Sequence, residues 1–215
     1  MPELFIITGS NGAGKSSVGA TYLPEEIREN FPVFDGDKLY MSKQKELWAG
    51  GIRVIKEAKK LALAFVNETF DSLIENALYK KETFVYEGHF INETTWDIPK
   101  KFKAQGYKIN MVFLGLENPD ISETRVIKRV IQGGHFVPRV MVESNFYGNL
   151  EKLNKHYALI DNLEIIDTSE TNHVKLASFT NGLPVSSIPI NSLPKWFIMH
   201  LPALTTLIMR SNLTM

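Results

Sequence analysis

The chain has 215 residues, 44% of them apolar and 22% charged, a composition that supports a packed core and excludes wholesale disorder. Its 24 basic and 24 acidic side chains cancel, which argues against non-specific nucleic-acid binding over a basic face. Cysteine is absent, so disulfides, thiolate metal sites and cysteine nucleophiles are excluded together.

The first residues, MPELFIITGS, carry neither a basic flank nor a small-residue cleavage site, so no secretory signal is expected and the protein reads as cytoplasmic. Leu4 to Thr8 is a short apolar run ending at glycine, which suits a buried parallel strand, and Lys15 to Tyr22 follows as a helix. Pro32 to Phe34 reads as a second strand, ending at Asp35-Gly36-Asp37. The apolar spacing from Ile52 to Leu78 predicts one long amphipathic helix. Thr83 to Tyr86 is a third strand with Glu87 at its C-terminal end. Thr94 to Gln105 is a helix stopped by Gly106, and Ile109 to Leu116 is a buried strand. Pro119 opens a helix that runs to Ile131 before Gly133-Gly134. Arg139 to His156 is helical, and Leu163 to Ile166 is a last core strand.

Beyond about residue 170 the pattern weakens, punctuated by Gly182, Pro184, Pro189, Pro194 and Pro202. The apolar stretch from Trp196 to Met209 contains His200 and Pro202 and is shorter than the about 20 residues of a membrane span, so no membrane association is expected. Alternating strands and helices predict an α/β fold: a doubly wound parallel sheet of about five strands. The expected organisation is one α/β domain over residues 1–175, with a C-terminal extension of short strands and a terminal helix over 176–215 packed on the same domain.

Gly9-Ser10-Asn11-Gly12-Ala13-Gly14-Lys15-Ser16 matches G-x-x-x-x-G-K-[ST], after a predicted strand and before a predicted helix. Glycines let the main chain curl so that several N–H groups face one anion. The Lys15 ammonium then bridges the β- and γ-phosphates of ATP, and the Ser16 hydroxyl takes a place on Mg2+. Ser17 completes the cradle.

In open α/β sheets ligands sit outside the carboxyl ends of the strands, where this loop, Asp35-Gly36-Asp37 and Glu87-Gly88-His89 should meet. Phosphoryl transfer needs one carboxylate to deprotonate the attacking hydroxyl and others to hold metal or substrate. Asp37 and Glu87 suit those roles, and a capping aspartate is the alternative for Asp37. Asp35 reads as structural. Arg125 and Arg129 lie four apart before Gly133-Gly134-His135, where arginines of a glycine-broken lid can close over triphosphate; a solvated basic face is the alternative. His135 is either a lid contact or a turn residue. His89 alone of the remaining histidines falls at the site, and none has metal-ligand spacing.

The segments GSNGAGKSS, VFDGDKLY, TFVYEGHF, GYKINMVFLGLENPD and RVIKRVIQGGHFVP, in this order, resemble the zeta toxin family of P-loop kinases over roughly residues 3–170. The strand ending in GL-x-x-P, the R-V-x-x-R-V helix and G-G-H-x-V-P carry the resemblance more than the phosphate loop. It implies ATP-dependent phosphorylation of a sugar hydroxyl of UDP-N-acetylglucosamine, and an antitoxin protein that blocks the nucleotide site. It also implies nucleotide and metal roles for Lys15 and Ser16, Asp37 as catalytic base, Glu87 as a substrate- or metal-binding acid, and Arg129 with Arg125 on the triphosphate. The sequence departs from the family pattern at Glu143-Ser144-Asn145-Phe146, where relatives carry arginines, with Arg139 or Arg125 as the available substitutes, and at Gly88-His89, where threonines are frequent. Two further readings stay open: a kinase with another hydroxyl acceptor, and a nucleotide-binding switch acting through a partner. A GTPase is disfavoured by the absence of N-K-x-D.

Overall fold

The computed structural model describes residues 1–132, 134 and 136–212. Its spine is strand β1, Glu3–Gly9, in which every residue after Glu3 is buried. That run is apolar on both faces because β1 lies inside a sheet with a parallel neighbour on each side: β3 (Phe84–Gly88), with Leu4 opposite Phe84, and β4 (Lys108–Gly115), with Leu4 opposite Ile109. Beyond β3 stands β2, only Phe34–Asp35, and beyond β4 stands β5, Asn162–Asp167. These five strands are parallel.

The sheet does not stop at the five strands expected from the sequence. Strands β6 (Val174–Thr180) and β7 (Leu183–Ser187) continue it antiparallel, giving seven strands in the order β2-β3-β1-β4-β5-β6-β7. The two-residue connection is Asn181-Gly182, both at positive φ (51° and 75°), the conformation a tight hairpin requires. The chain thus crosses residue 175 just inside a strand that pairs with β5.

Helix α1, Lys15–Val18, is a single turn that tightens into a 3-10 segment, Gly19–Tyr22. Helices α2 (Glu25–Asn30) and α3 (Gly36–Ala49) flank β2. The long amphipathic helix is α4, Ile55–Lys80, followed later by α5, Asp97–Ala104. Helix α6, Pro119–Ile131, begins as its sequence dictates: Pro119 stands in the first turn, and the Asn118 side chain accepts a hydrogen bond from Ile121 N at 3.0 Å. Helix α7 is Arg139–His156. The terminal apolar stretch forms two helices, α8 (Lys195–His200) and α9 (Pro202–Asn212), because Pro202 cannot continue the first and is well suited to open the second.

The core is shared from end to end. Trp96 and Phe102 are fully buried beside β1, β3 and β4, and so are Phe197, Leu201, Leu204 and Ile208 from the C-terminal helices. Trp196 lies so close to β4 that a Cβ on Gly115 would come within 2.2 Å of the indole. Ala203 N donates to Asn154 Oδ1 of α7 at 2.9 Å. Among the described residues, no helix is long and apolar enough to cross a membrane.

Candidate active site

The chain leaves β1 at Gly9 and turns sharply to reach Lys15, and the neighbouring strand leaves no room for side chains there. A Cβ on Gly9 would fall 2.2 Å from Leu114 O, and φ is +142°. Gly14, at φ +96°, caps α1 in the left-handed region. Between them the loop is held from behind by residues far away in sequence. Ser122 Oγ donates to Asn11 O, Asn145 Nδ2 donates to Asn11 Oδ1 at 2.7 Å, and Thr168 Oγ1 donates to Ala13 O at 2.9 Å. Ser17 Oγ closes the turn on Gly14 O at 3.3 Å.

Lys15 is the partly buried cation of the site. Its Nζ donates to Gly9 O at 3.0 Å and Ser10 O at 3.1 Å, and stands 3.5 Å from His89 Nε2. Burial is the main force on it and lowers its pKa to about 8; the carboxylates of Glu87 and Asp37 act against that, while the Arg129 guanidinium adds to it. A partly buried ammonium at the rim of a curl of main-chain N–H groups is a fitting receptor for polyphosphate.

The carboxylates come from two adjacent strand ends. Asp35 and Glu87 are register partners at the ends of β2 and β3. Asp35 caps α3, accepting from Lys38 N at 2.9 Å, so it has the structural role expected of it. Glu87 Oε1 accepts from Ser16 Oγ at 2.5 Å. Burial pushes the Glu87 carboxyl up to about 7, against the pull of the Ser16 hydroxyl; neighbouring Asp35 pushes it further and Lys15 opposes. Asp37 sits in the first turn of α3. Lys15, Asp37, Glu87 and His89 line one cavity of about 400 Å3, which Tyr40, Leu63 and Val66 also border. A larger cavity of about 780 Å3 opens beside β2 and is mostly apolar, but no residue of the phosphate loop lines it.

His89 is held neutral, its pKa well below the usual histidine value through burial first and then the nearby Lys15 charge. Asn149 Nδ2 faces its Nδ1 at 3.3 Å. No group of three or more His, Asp or Glu side chains able to hold a metal occurs among the described residues. The adjoining oxygens of Ser16 and Glu87 are nonetheless the hard donors that Mg2+ uses when phosphate oxygens and water complete its shell.

The arginines separate into three environments. Arg125 donates to Gly12 O at 3.2 Å and Ser169 O at 2.7 Å, tying α6 to the back of the loop. Arg129 lies close enough for its charge to act on Lys15 and His89, and Gly134 N donates to its carbonyl at 2.9 Å. Arg139 is engaged by three carboxylates, Asp120, Glu123 and Glu143. His135 and Gly133 lie outside the described residues. Sequence reasoning missed Ser122, Asn145, Asn149 and Thr168, which carry no local signature; only the fold brings them to the loop.

A model of the zeta toxin family matches residues 1–175. No curated protein sequence matches the chain. The chain is similar in fold to a chain of the AvrRxo1-ORF1:ORF2 complex with ATP, at 17% identity and TM-score 0.69, covering 94% of this chain and 64% of that one. It is also similar to a chain of the PezAT chromosomal toxin-antitoxin system of Streptococcus pneumoniae, at 16% identity and TM-score 0.59, covering 100% of this chain and 88% of that one. The chain therefore spans less than two thirds of the length of its AvrRxo1 neighbour.

Proposed function

The chain belongs to the zeta toxin family, and from that premise we propose that it is an ATP-dependent kinase that transfers the γ-phosphoryl group to a hydroxyl of UDP-N-acetylglucosamine. The observation that carries the reading is the cavity in which the Lys15 ammonium and the Asp37 carboxylate meet. A cation for polyphosphate and a base for an alcohol within one small chamber are the two parts that phosphoryl transfer requires.

In this reading the main chain of Gly9, Asn11, Gly12, Ala13 and Gly14 cradles the phosphates, with Ser17 closing the turn. Lys15 spans the β- and γ-groups, and Arg129 brings a second positive charge to the same end. Ser16 and Glu87 would hold Mg2+, which supplies neutralisation of charge across the phosphate oxygens. Arg125 acts from behind, fixing the loop through the Gly12 carbonyl. Asp37 takes the proton of the acceptor hydroxyl as its oxygen bonds to phosphorus and the bond to the β-phosphate bridging oxygen breaks. ADP leaves with the electron pair, and no covalent enzyme intermediate forms. Glu87 and His89 border the space beside Asp37 where the acceptor enters. Val66 of α4 borders the same space, with the exposed Leu63 at its edge.

A protein partner that covers this site fits the same reading, since both structural neighbours are components of two-protein systems: AvrRxo1-ORF1 with ORF2, and PezAT as toxin with antitoxin. The test of the reaction is direct. Incubation with Mg-ATP and UDP-N-acetylglucosamine, followed by mass spectrometry, should show the nucleotide sugar heavier by one phosphoryl group. ATP hydrolysis with the sugar unchanged, and a phosphorylated product with some other hydroxyl compound, would assign the acceptor elsewhere.

A further inference from the structure

Behind the phosphate loop runs a chain of buried amides. Helix α7 turns Asn145 and Asn149, one helical turn apart, towards the loop, with relative exposures of 6% and 1%. A buried amide is costly unless its donors and acceptors are used, and in Asn149 all four positions are taken. Its Oδ1 accepts from Phe90 N at 2.7 Å and from Thr8 Oγ1 at 3.2 Å. Its Nδ2 donates to Asn145 O at 2.5 Å. A main-chain N–H can only donate and a carbonyl can only accept, so these two contacts determine which way round the amide lies.

The second hydrogen on Nδ2 is therefore directed at His89 Nδ1, 3.3 Å away. That nitrogen must be the acceptor, which puts the proton of the neutral ring on Nε2. Nε2 stands 3.5 Å from Lys15 Nζ and 3.5 Å from Asn11 Nδ2, the outer limit of hydrogen bonding. Such a spacing suits nitrogens that all carry hydrogens, and the oxygen that Lys15 and His89 share here is the Gly9 carbonyl, which accepts from Lys15 Nζ at 3.0 Å and also bonds the His89 ring; a phosphate oxygen would take over from that carbonyl as the acceptor.

We propose that Asn149 is a positioning residue that locks His89 in the Nε2–H tautomer, and that this N–H is a fixed donor to the γ-phosphoryl group beside Lys15. Lys15 spans the β- and γ-phosphates, and His89 borders the cavity on the side of Asp37, where the γ-group meets the acceptor. A neutral donor held there adds a hydrogen bond to equatorial oxygens whose charge changes during transfer, with no proton to lose. The identity of the anion rests on the kinase reading; the tautomer does not.

Two experiments on the full chain separate these claims. Long-range 1H–15N spectra of protein labelled with 15N-histidine should show His89 protonated on Nε2 and bare on Nδ1, and Asn149→Leu should lose that preference. A wild-type ring protonated on Nδ1, or an unchanged spectrum in a folded Asn149→Leu variant, overturns the lock. The second experiment uses His89→Gln and His89→Asn, because a glutamine amide reaches the Nε2 position and an asparagine amide reaches only Nδ1. His89→Asn should weaken binding of the β,γ-imido analogue of ATP by roughly 10- to 100-fold, the weight of a hydrogen bond to a charged group, and leave ADP affinity unchanged. His89→Gln should restore most of that loss. Equal losses in the two variants, or equal losses for ADP and the analogue, overturn the donor role. Failure of the wild-type chain to bind either nucleotide would overturn the kinase reading and the donor role together, while the spectra still decide the lock.

Discussion

At Lys15 the site's electrostatics are set by a contest between burial, which favours the neutral amine, and the carboxylates of Glu87 and Asp37, which favour the ammonium. A polyphosphate adds to the carboxylates' side, so replacing Lys15 by methionine should remove most of the nucleotide affinity, read by calorimetric titration with ADP and ATP. Glu87 is the opposite case, an acid raised to about 7 chiefly by burial. The sign follows from linkage. The folded state binds this proton more tightly than the unfolded chain, so its contribution to stability is complete below the ordinary carboxyl range and is lost as pH rises through about 7. Urea midpoints in magnesium-free buffer should therefore fall between pH 5 and pH 8 in the wild type, and fall less in Glu87→Gln. Equal declines would remove Glu87 as the titrating group. At this scale the sequence was legible wherever chemistry and spacing are local, as in Gly9 to Ser16 or Glu87 at a strand end. Asn149 was not legible, because nothing near it in the chain hints that Thr8, His89 and Phe90 converge on its amide.

Among the elements, the hairpin of β6 and β7 shows what a turn dipeptide can determine. Asn181-Gly182 is the only stretch between those strands, and Gly182 has φ +75°. Its substitution by valine should destabilise the fold by about 1–2 kcal/mol or more, the cost of left-handed backbone for a residue with a Cβ, measured by urea unfolding. The dipeptide was present to be read as a hairpin, yet the prolines around it drew attention to an irregular tail. Helix α3 was hidden for a different reason: none of its 14 residues is buried, so it presents no apolar stripe, and its start depends on the Asp35 cap. Helix α6, with Asn118, Pro119 and an apolar face, advertised both itself and its first residue. On α8, Trp196→Ala should cost about 3–5 kcal/mol, typical of a buried aromatic truncated in a packed core. A loss below about 1 kcal/mol would mean that the C-terminal helices contribute little to the common core.

For the molecule as a whole, the strand order explains why the chemistry gathers where it does. β1 runs between β3 and β4, so the phosphate loop at its end emerges beside Glu87 on one side and beside the α6 and α7 residues that brace it on the other. The alternation of strands and helices made that parallel arrangement predictable, while the antiparallel continuation through β6 and β7 fell outside the alternation. Every functional role assigned above depends on nucleotide and alcohol meeting between Lys15 and Asp37. The most direct measurement is single-turnover transfer from γ-labelled ATP to UDP-N-acetylglucosamine, comparing the wild type with Asp37→Asn at saturating nucleotide. The expected result is label on the sugar with the wild type, transfer slowed by about 10²–10⁴ in the variant as for loss of a general base, and ATP bound equally by both. Equal transfer rates in the two proteins, or a wild type that binds ATP and passes label to no hydroxyl, would contradict it.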